Sequence, residues 1–423
     1  MFQQSWVVVI PSLLLAASTA IAAPDVLHLP VHARRHELKK SAHGPHPVTV
    51  IHDQEDVSSQ SYEVTVAVGA PYQKMKLALD TSKSKTWLIS EEIFAECDGC
   101  NAGYFQLNKS KTVSPILGYE DISYGDPTTI PPSNITFNVD LHRDSFDIAG
   151  MSIAKQTFGV LTPGKGKAFN GIGFLGLGPD RDLGYKAGKP YNTILDSLAA
   201  EGQIPSRTYS LDLRDYDSKD GSLIFGGIDT GKFKGKLVKR PLVKDELGTF
   251  GPSIVLSNYG QTSPEGKKFS YKVPQGDSVF LIDSMNQYFR LRHSFVDPLF
   301  RDLGAVNDGH DAYYVPCKKR DMPGTWDFHF GEATIKVPYK SIITELSNDK
   351  GKTCFVGVLT TSKGQLVLGQ SFLQAAYVAF DLDNKQVALA QSANCGHKLV
   401  AFGSGPNAIP ELKGCKAAKL KSC

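Results

Sequence analysis

Two segments far apart in the chain, KLALDTSKSKTWL at residues 76–88 and FLIDSMNQYFRL at 280–291, follow one pattern: apolar residues, then Asp, then a small hydroxyl residue. Each is answered downstream. After Asp80 the chain reaches GFLGLG, an apolar pair closed by Gly176, 96 residues on (176 − 80). After Asp283 it reaches QLVLGQ, the same pattern closed by Gly369, 86 residues on (369 − 283). A pattern repeated at similar spacing predicts two related halves that meet at a cleft, one Asp coming from each. Both halves must then bury their apolar faces in the same way, which leaves few architectures open.

The local periodicity is that of sheets. SYEVTVAVG (61–69) alternates with period two, and Ala70-Pro71 makes a turn before KMKLALD. Short strands broken by Gly, Pro, Asn and Asp continue to about residue 390, with helical windows at 191–201 and 294–304. A chain of 423 residues exceeds one ordinary domain, and 41% apolar content fills a large core. The expectation is a mostly-β, two-lobed fold. A net charge of only +3 excludes nucleic acid as the main partner.

The ends bear on location. Residues 7–17 form an apolar run interrupted by Pro11 and Ser12, and Ala20-Ile21-Ala22 offers a cleavage site. The run is short for a bilayer span, so residues 1–22 read as a secretory signal, although Lys and Arg are missing before it. An uncleaved anchor is the competing reading. Residues 23–60, with Arg34-Arg35 and Lys39-Lys40, read either as a disordered leader or as a propeptide whose basic residues cover an acidic cleft. No later segment approaches the ~20 apolar residues of a span, and the basic end KGCKAAKLKSC lacks a lipid-anchor tail. The protein is expected to be secreted or luminal, with no membrane span.

Seven cysteines suit that route. Cys97 and Cys100 flank a tight Asp98-Gly99 loop, and Cys317 and Cys354 are the second expected pair. Cys395, Cys415 and Cys423 lie in the tail, so one cysteine is left over. Zinc is the rival reading of Cys97 and Cys100, but no second ligand pair stands at the usual spacing. Asn108-Lys109-Ser110 and Asn134-Ile135-Thr136 are glycosylation acceptors.

Further stretches fall in a telling order: Trp87 seven residues after Asp80, YFQLNKSKT, ISYGD, QTFGVLT, FLGLGPD, GSLIFGGID, and LVLGQSFLQAAYVAFDLDNKQVALA. With VAVGAPYQKMKLALDTS before them, the chain resembles the pepsin-like aspartic proteases of the fungal secreted type over roughly residues 62–391. That resemblance implies a bilobal fold, with lobes at 61–240 and 241–394 and a basic tail at 395–423. It implies a peptide or protein substrate, no cofactor or metal, and a chain acting as a monomer. Asp80 and Asp283 would share a proton and hold the attacking water. Thr81 and Ser284 would brace their loops. Tyr124 and Gly125 would lie on the hairpin that closes over substrate, with Trp87 bonded to the tyrosine.

The departures sit beside the two Asp residues. Ser82 and Met285 stand where the family has glycine, and a backbone that only glycine favours would cost a substituent about 1–3 kcal/mol. Lys83 and Asn286 stand where the family has Ser or Thr; the ammonium would favour ionised Asp80, while Asn286 can still donate. Pro127 stiffens the hairpin. Two functions remain open: an active aspartic endopeptidase, or a catalytically impaired relative that keeps the cleft as a peptide- or protein-binding module. A serine hydrolase is excluded, because Gly369-Gln370-Ser371-Phe372-Leu373 lacks the closing glycine of the nucleophile turn.

Overall fold

The duplicated pattern is a duplicated strand arrangement. In the computed structural model, the residues described are 27–35, 60–95, 102–126, 133–148, 150–165, 171–179, 191–214, 221–245, 248, 250–309, 312–345 and 352–416. The first half contributes β1 (Leu27–Arg35), β2 (Gln60–Val68), β3 (Gln73–Asp80), β4 (Trp87–Ile89), β5 (Gly118–Asp126), β6 (Ser133–Ile148), β7 (Met151–Leu161) and β8 (Gly173–Gly176). It continues with β9 (Thr208–Asp212), β10 (Gly221–Phe225) and β11 (Phe233–Pro241). From the second half come β12 (Val279–Ile282), β13 (Phe289–Leu291), β14 (Val358–Thr360), β15 (Leu366–Leu368), β16 (Ala376–Asp381) and β17 (Gln386–Ser392).

In the first half β3 runs parallel to β8, with Asp80 opposite Gly176, and β4 lies between β8 and β7. In the second half β12 runs parallel to β15, and β13 lies between β15 and β14. The order β3-β8-β4-β7 is thus repeated as β12-β15-β13-β14. Each Asp stands at or just past the carboxyl end of the first strand of its set.

The glycines of the sequence echo are fixed by close approach. A Cβ on Gly176 would stand 2.4 Å from the Ser84 carbonyl carbon, and one on Gly369 would stand 2.3 Å from the Tyr288 oxygen. The loop after each Asp folds back over its glycine, so no side chain fits there. A backbone bond closes each loop: Gly178 N–H to Lys83 O at 2.8 Å, and Gln370 N–H to Asn286 O at 2.7 Å.

A 13-stranded sheet runs β11-β17-β16-β9-β10-β1-β2-β3-β8-β4-β7-β6-β5. The last strands of the chain, β16 and β17, therefore return to the first half's sheet. The largest apolar cluster takes residues from both halves, among them Leu79, Leu175, Ile282, Leu368 and Phe380. The helical windows are helices at Ile194–Ala200, started by a Thr193–Asp196 capping box, and His293–Leu303, closed by Gly304 at φ 68°.

Residues 27–35 of the expected leader form a sheet strand, pairing with β10 at residues 27–31 and with β2 at 32–35. Arg34 and Arg35 thus lie opposite Ser61 and Gln60. The signal segment and the rest of the leader are outside the described residues, as are Cys97, Cys100, Pro127 and Cys423. Cys317 and Cys354 form the expected disulfide, and Cys395 pairs with Cys415. The tail is held further by Leu399–Ala401, which pairs with Gly227–Asp229. Asn108 is exposed on a short 3-10 turn, and Asn134 lies on β6. Among the described residues, no helix is long and apolar enough to cross a membrane.

Candidate active site

Asp80 and Asp283 meet because the residues after them interlock. Thr81 Oγ1 donates to Ile282 O and accepts from Ser284 N–H, both at 3.0 Å. Ser284 Oγ donates to Leu79 O at 2.6 Å and accepts from Thr81 N–H at 3.0 Å. The four bonds are reciprocal about an approximate two-fold axis, and both side chains are at most 1% exposed. Each hydroxyl also satisfies backbone groups of the opposite loop that would otherwise be buried unpaired. Gln370 adds a bond from Nε2 to Ser284 O at 2.7 Å.

The carboxyl groups differ in their surroundings. Asp80 is fully buried, and its Oδ1 accepts three bonds: Ser82 N–H at 2.9 Å, Ser82 Oγ at 2.8 Å and Lys83 N–H at 3.0 Å. Its Oδ2 has no hydrogen-bond partner. Asp283 is 5% exposed; Met285 N–H donates to its Oδ1 at 2.8 Å and Asn286 Nδ2 to its Oδ2 at 2.6 Å. Burial, and then the charge of Asp283, push Asp80 up to about 6; the Ser82 hydroxyl and the Lys83 ammonium oppose this without reversing it. With Oδ1 saturated by donors, the proton of Asp80 belongs on Oδ2.

The hairpin residue Tyr124 is buried and accepts a bond from Trp87 Nε1 at 3.1 Å. Burial and the neighbouring Asp80 push its phenol well above the usual range. The hydroxyl thus lies close enough to Asp80 to feel its charge. Trp87 packs on Phe137 and Phe174 at 4.8 Å each, and Tyr124 on Phe174 at 5.0 Å. Gly125 continues β5, opposite Asn134.

The four departures are resolved individually. Among the described residues, Arg214 and Lys385 are the non-glycine residues with positive φ, so Ser82 and Met285 carry no left-handed strain. Ser82 adds a donor to Asp80. Asn286 donates to Asp283, as its amide allows. Lys83 Nζ lies 6.0 Å from the Tyr124 ring, and its charge lowers Asp80 less than burial raises it. Met285 is 4% exposed and packs into the apolar cluster of the first half.

One element of the site was not foreseen. Glu120 is 1% exposed and pairs with Lys85 at 3.8 Å; Tyr191 donates to it at 2.7 Å. Glu120, Ile122 and Tyr124 alternate as the buried face of β5, a period-two signal that ISYGD alone is too short to display. The pair ties the hairpin to the loop that follows Asp80.

This fold and this pair of carboxyl groups define an aspartic protease class. A model of the eukaryotic aspartyl protease family matches residues 61–392, and the chain belongs to that family. Among curated proteins, it is 26% identical to "Probable aspartic-type endopeptidase opsB" of Aspergillus fumigatus, covering 84% of this chain and 74% of that protein. It is 28% identical to "Secreted aspartic protease 1" of Candida albicans, covering 90% and 94% respectively. The "Acid protease" of Saccharomycopsis fibuligera is 28% identical over 78% of this chain and 80% of its own.

Proposed function

We propose that the chain is a secreted aspartic endopeptidase, in which a water held between Asp80 and Asp283 attacks a peptide carbonyl. Asp283 takes the water's proton, and Asp80, protonated on Oδ2, donates to the developing oxyanion. Tyr124 and Gly125 close over the peptide and exclude bulk water. The halves divide as 61–240 and 241–394, with the signal removed after residue 22 and the leader before the first strand of the mature chain. The relatives' printed names support secretion and peptide substrates.

The observation that carries this reading is the reciprocal Thr81–Ser284 bonding, which ties the two Asp loops together, with Asp80 buried and within reach of the Asp283 charge. Mature recombinant protein incubated with casein at pH 3–6 should cleave it, and a statine-type transition-state mimic should stop cleavage. No cleavage by a folded sample, verified by circular dichroism, would refute the enzyme reading. One observation favours the second reading, an impaired peptide-binding relative: Met285 fills space next to Asp283.

A further inference from the structure

Met285 belongs to the second half by sequence and to the first half by packing. Its N–H donates to Asp283 Oδ1 at 2.8 Å, which fixes its Cα beside the carboxyl pair. Its side chain joins an apolar cluster in which every other buried member lies between residues 78 and 174, including Trp87, Tyr124, Phe137 and Phe174. The residue therefore crosses from one half to the other next to the reacting carboxyl groups. Ser82, in the matching position after Asp80, does no such thing; its hydroxyl bonds back to Asp80 Oδ1 at 2.8 Å.

A peptide whose carbonyl lies between Asp80 and Asp283 has one flanking side chain on the side of the Tyr124 cluster. Met285 is already a buried member of that apolar cluster. Resting on the peptidase reading, we propose that Met285 is a specificity-determining residue: it occupies the apolar subsite beside the carboxyl pair and restricts the substrate residue there to Gly, Ala or Ser. Admitting Leu or Phe there would require Met285 to leave its buried place in that cluster. Because Ser82 reaches no such cluster, the restriction falls on one side of the scissile bond only.

The test uses the mature chain and two non-cleavable hydroxyethylene peptides that differ only in carrying Ala or Leu at the flanking residue. Calorimetric affinities are measured for the wild type, Met285→Gly, Met285→Ala and the volume-conserving Met285→Leu. The wild type and Met285→Leu should favour the Ala form. Met285→Gly and Met285→Ala should shift the Leu-to-Ala affinity ratio toward Leu by roughly 10- to 200-fold, the range that apolar pockets give. If Met285→Gly fails to fold, Met285→Ala carries the measurement. A ratio unchanged within about twofold overturns the proposal, whether or not the wild type hydrolyses peptides. A shifted ratio in protein that cleaves nothing keeps the size filter and refutes the peptidase reading.

Discussion

Asp80 and Asp283 are identical side chains made unlike by their neighbours. Three donors converge on one oxygen of Asp80 while its other oxygen has none, and burial wins over those donors in setting its proton affinity. The Ser82 hydroxyl is the largest effect opposing the rise. Ser82→Gly should therefore raise the affinity of Asp80 for its proton and move the alkaline limb of the activity profile above pH 6. A limb that moves down or stays fixed would contradict the assigned role of Ser82. Thr81→Ala strands the Ser284 N–H and the Ile282 carbonyl, and should cost about 2–4 kcal/mol in denaturant unfolding. Both Asp residues and both hydroxyl partners were legible in the sequence because the motif is local and doubled. The conformation at Ser82 and Met285 was not, since only φ itself shows whether a glycine-like backbone is used.

Strand β5 turns an alternating pattern into an element tethered at two points. Its buried face carries Glu120 at the base and Tyr124 near the tip, the first tied to Lys85 and the second to Trp87. Trp87→Phe keeps the ring packing and removes one donor, a loss of about 1 kcal/mol. The expected result is a several-fold higher KM with thermal stability nearly unchanged; an unaltered KM would show that the Trp87 bond does not position the hairpin. Gly369→Ala should unfold the second half's loop, because its Cβ would meet the Tyr288 oxygen at 2.3 Å. Denaturant titration should show a loss of about 3 kcal/mol or more. The strands that carry Gly176 and Gly369 were legible because each glycine closes a short apolar run of the same form. Glu120 and Lys85 escaped notice because a buried ion pair between residues 35 apart (120 − 85) leaves no trace in local periodicity.

Across the molecule, two buried carboxyl groups bias stability toward acid. Asp80 and Asp212 are each pushed up to about 6 from 3.8, chiefly by burial, Asp212 despite its contact with Arg214 at 2.7 Å. Because the folded state holds these protons more tightly than the unfolded chain, their contribution is fully present below pH 3.8 and lost as pH rises through about 6. The loss is on the order of 3 kcal/mol for each group. The melting temperature should therefore fall between pH 4 and pH 7, and Asp212→Asn should flatten that fall. An equally steep fall in the variant would assign it to other groups. The two-half plan was legible from the repeated motifs. The return of β16 and β17 to the first sheet and the seating of residues 27–35 in it were not, because each depends on contacts between distant parts of the chain; the Cys395–Cys415 bond was not, because three tail cysteines allow more than one pairing.

The claim beneath all of this is that the two carboxyl groups sense one another across the interface between the halves. Carbon-13 NMR titration of labelled aspartates, in the wild type and in Asp283→Asn, measures that directly. Removing the Asp283 charge should lower the Asp80 midpoint from about 6, with burial alone keeping it above 3.8. An Asp80 midpoint that is the same in both proteins would contradict a shared site.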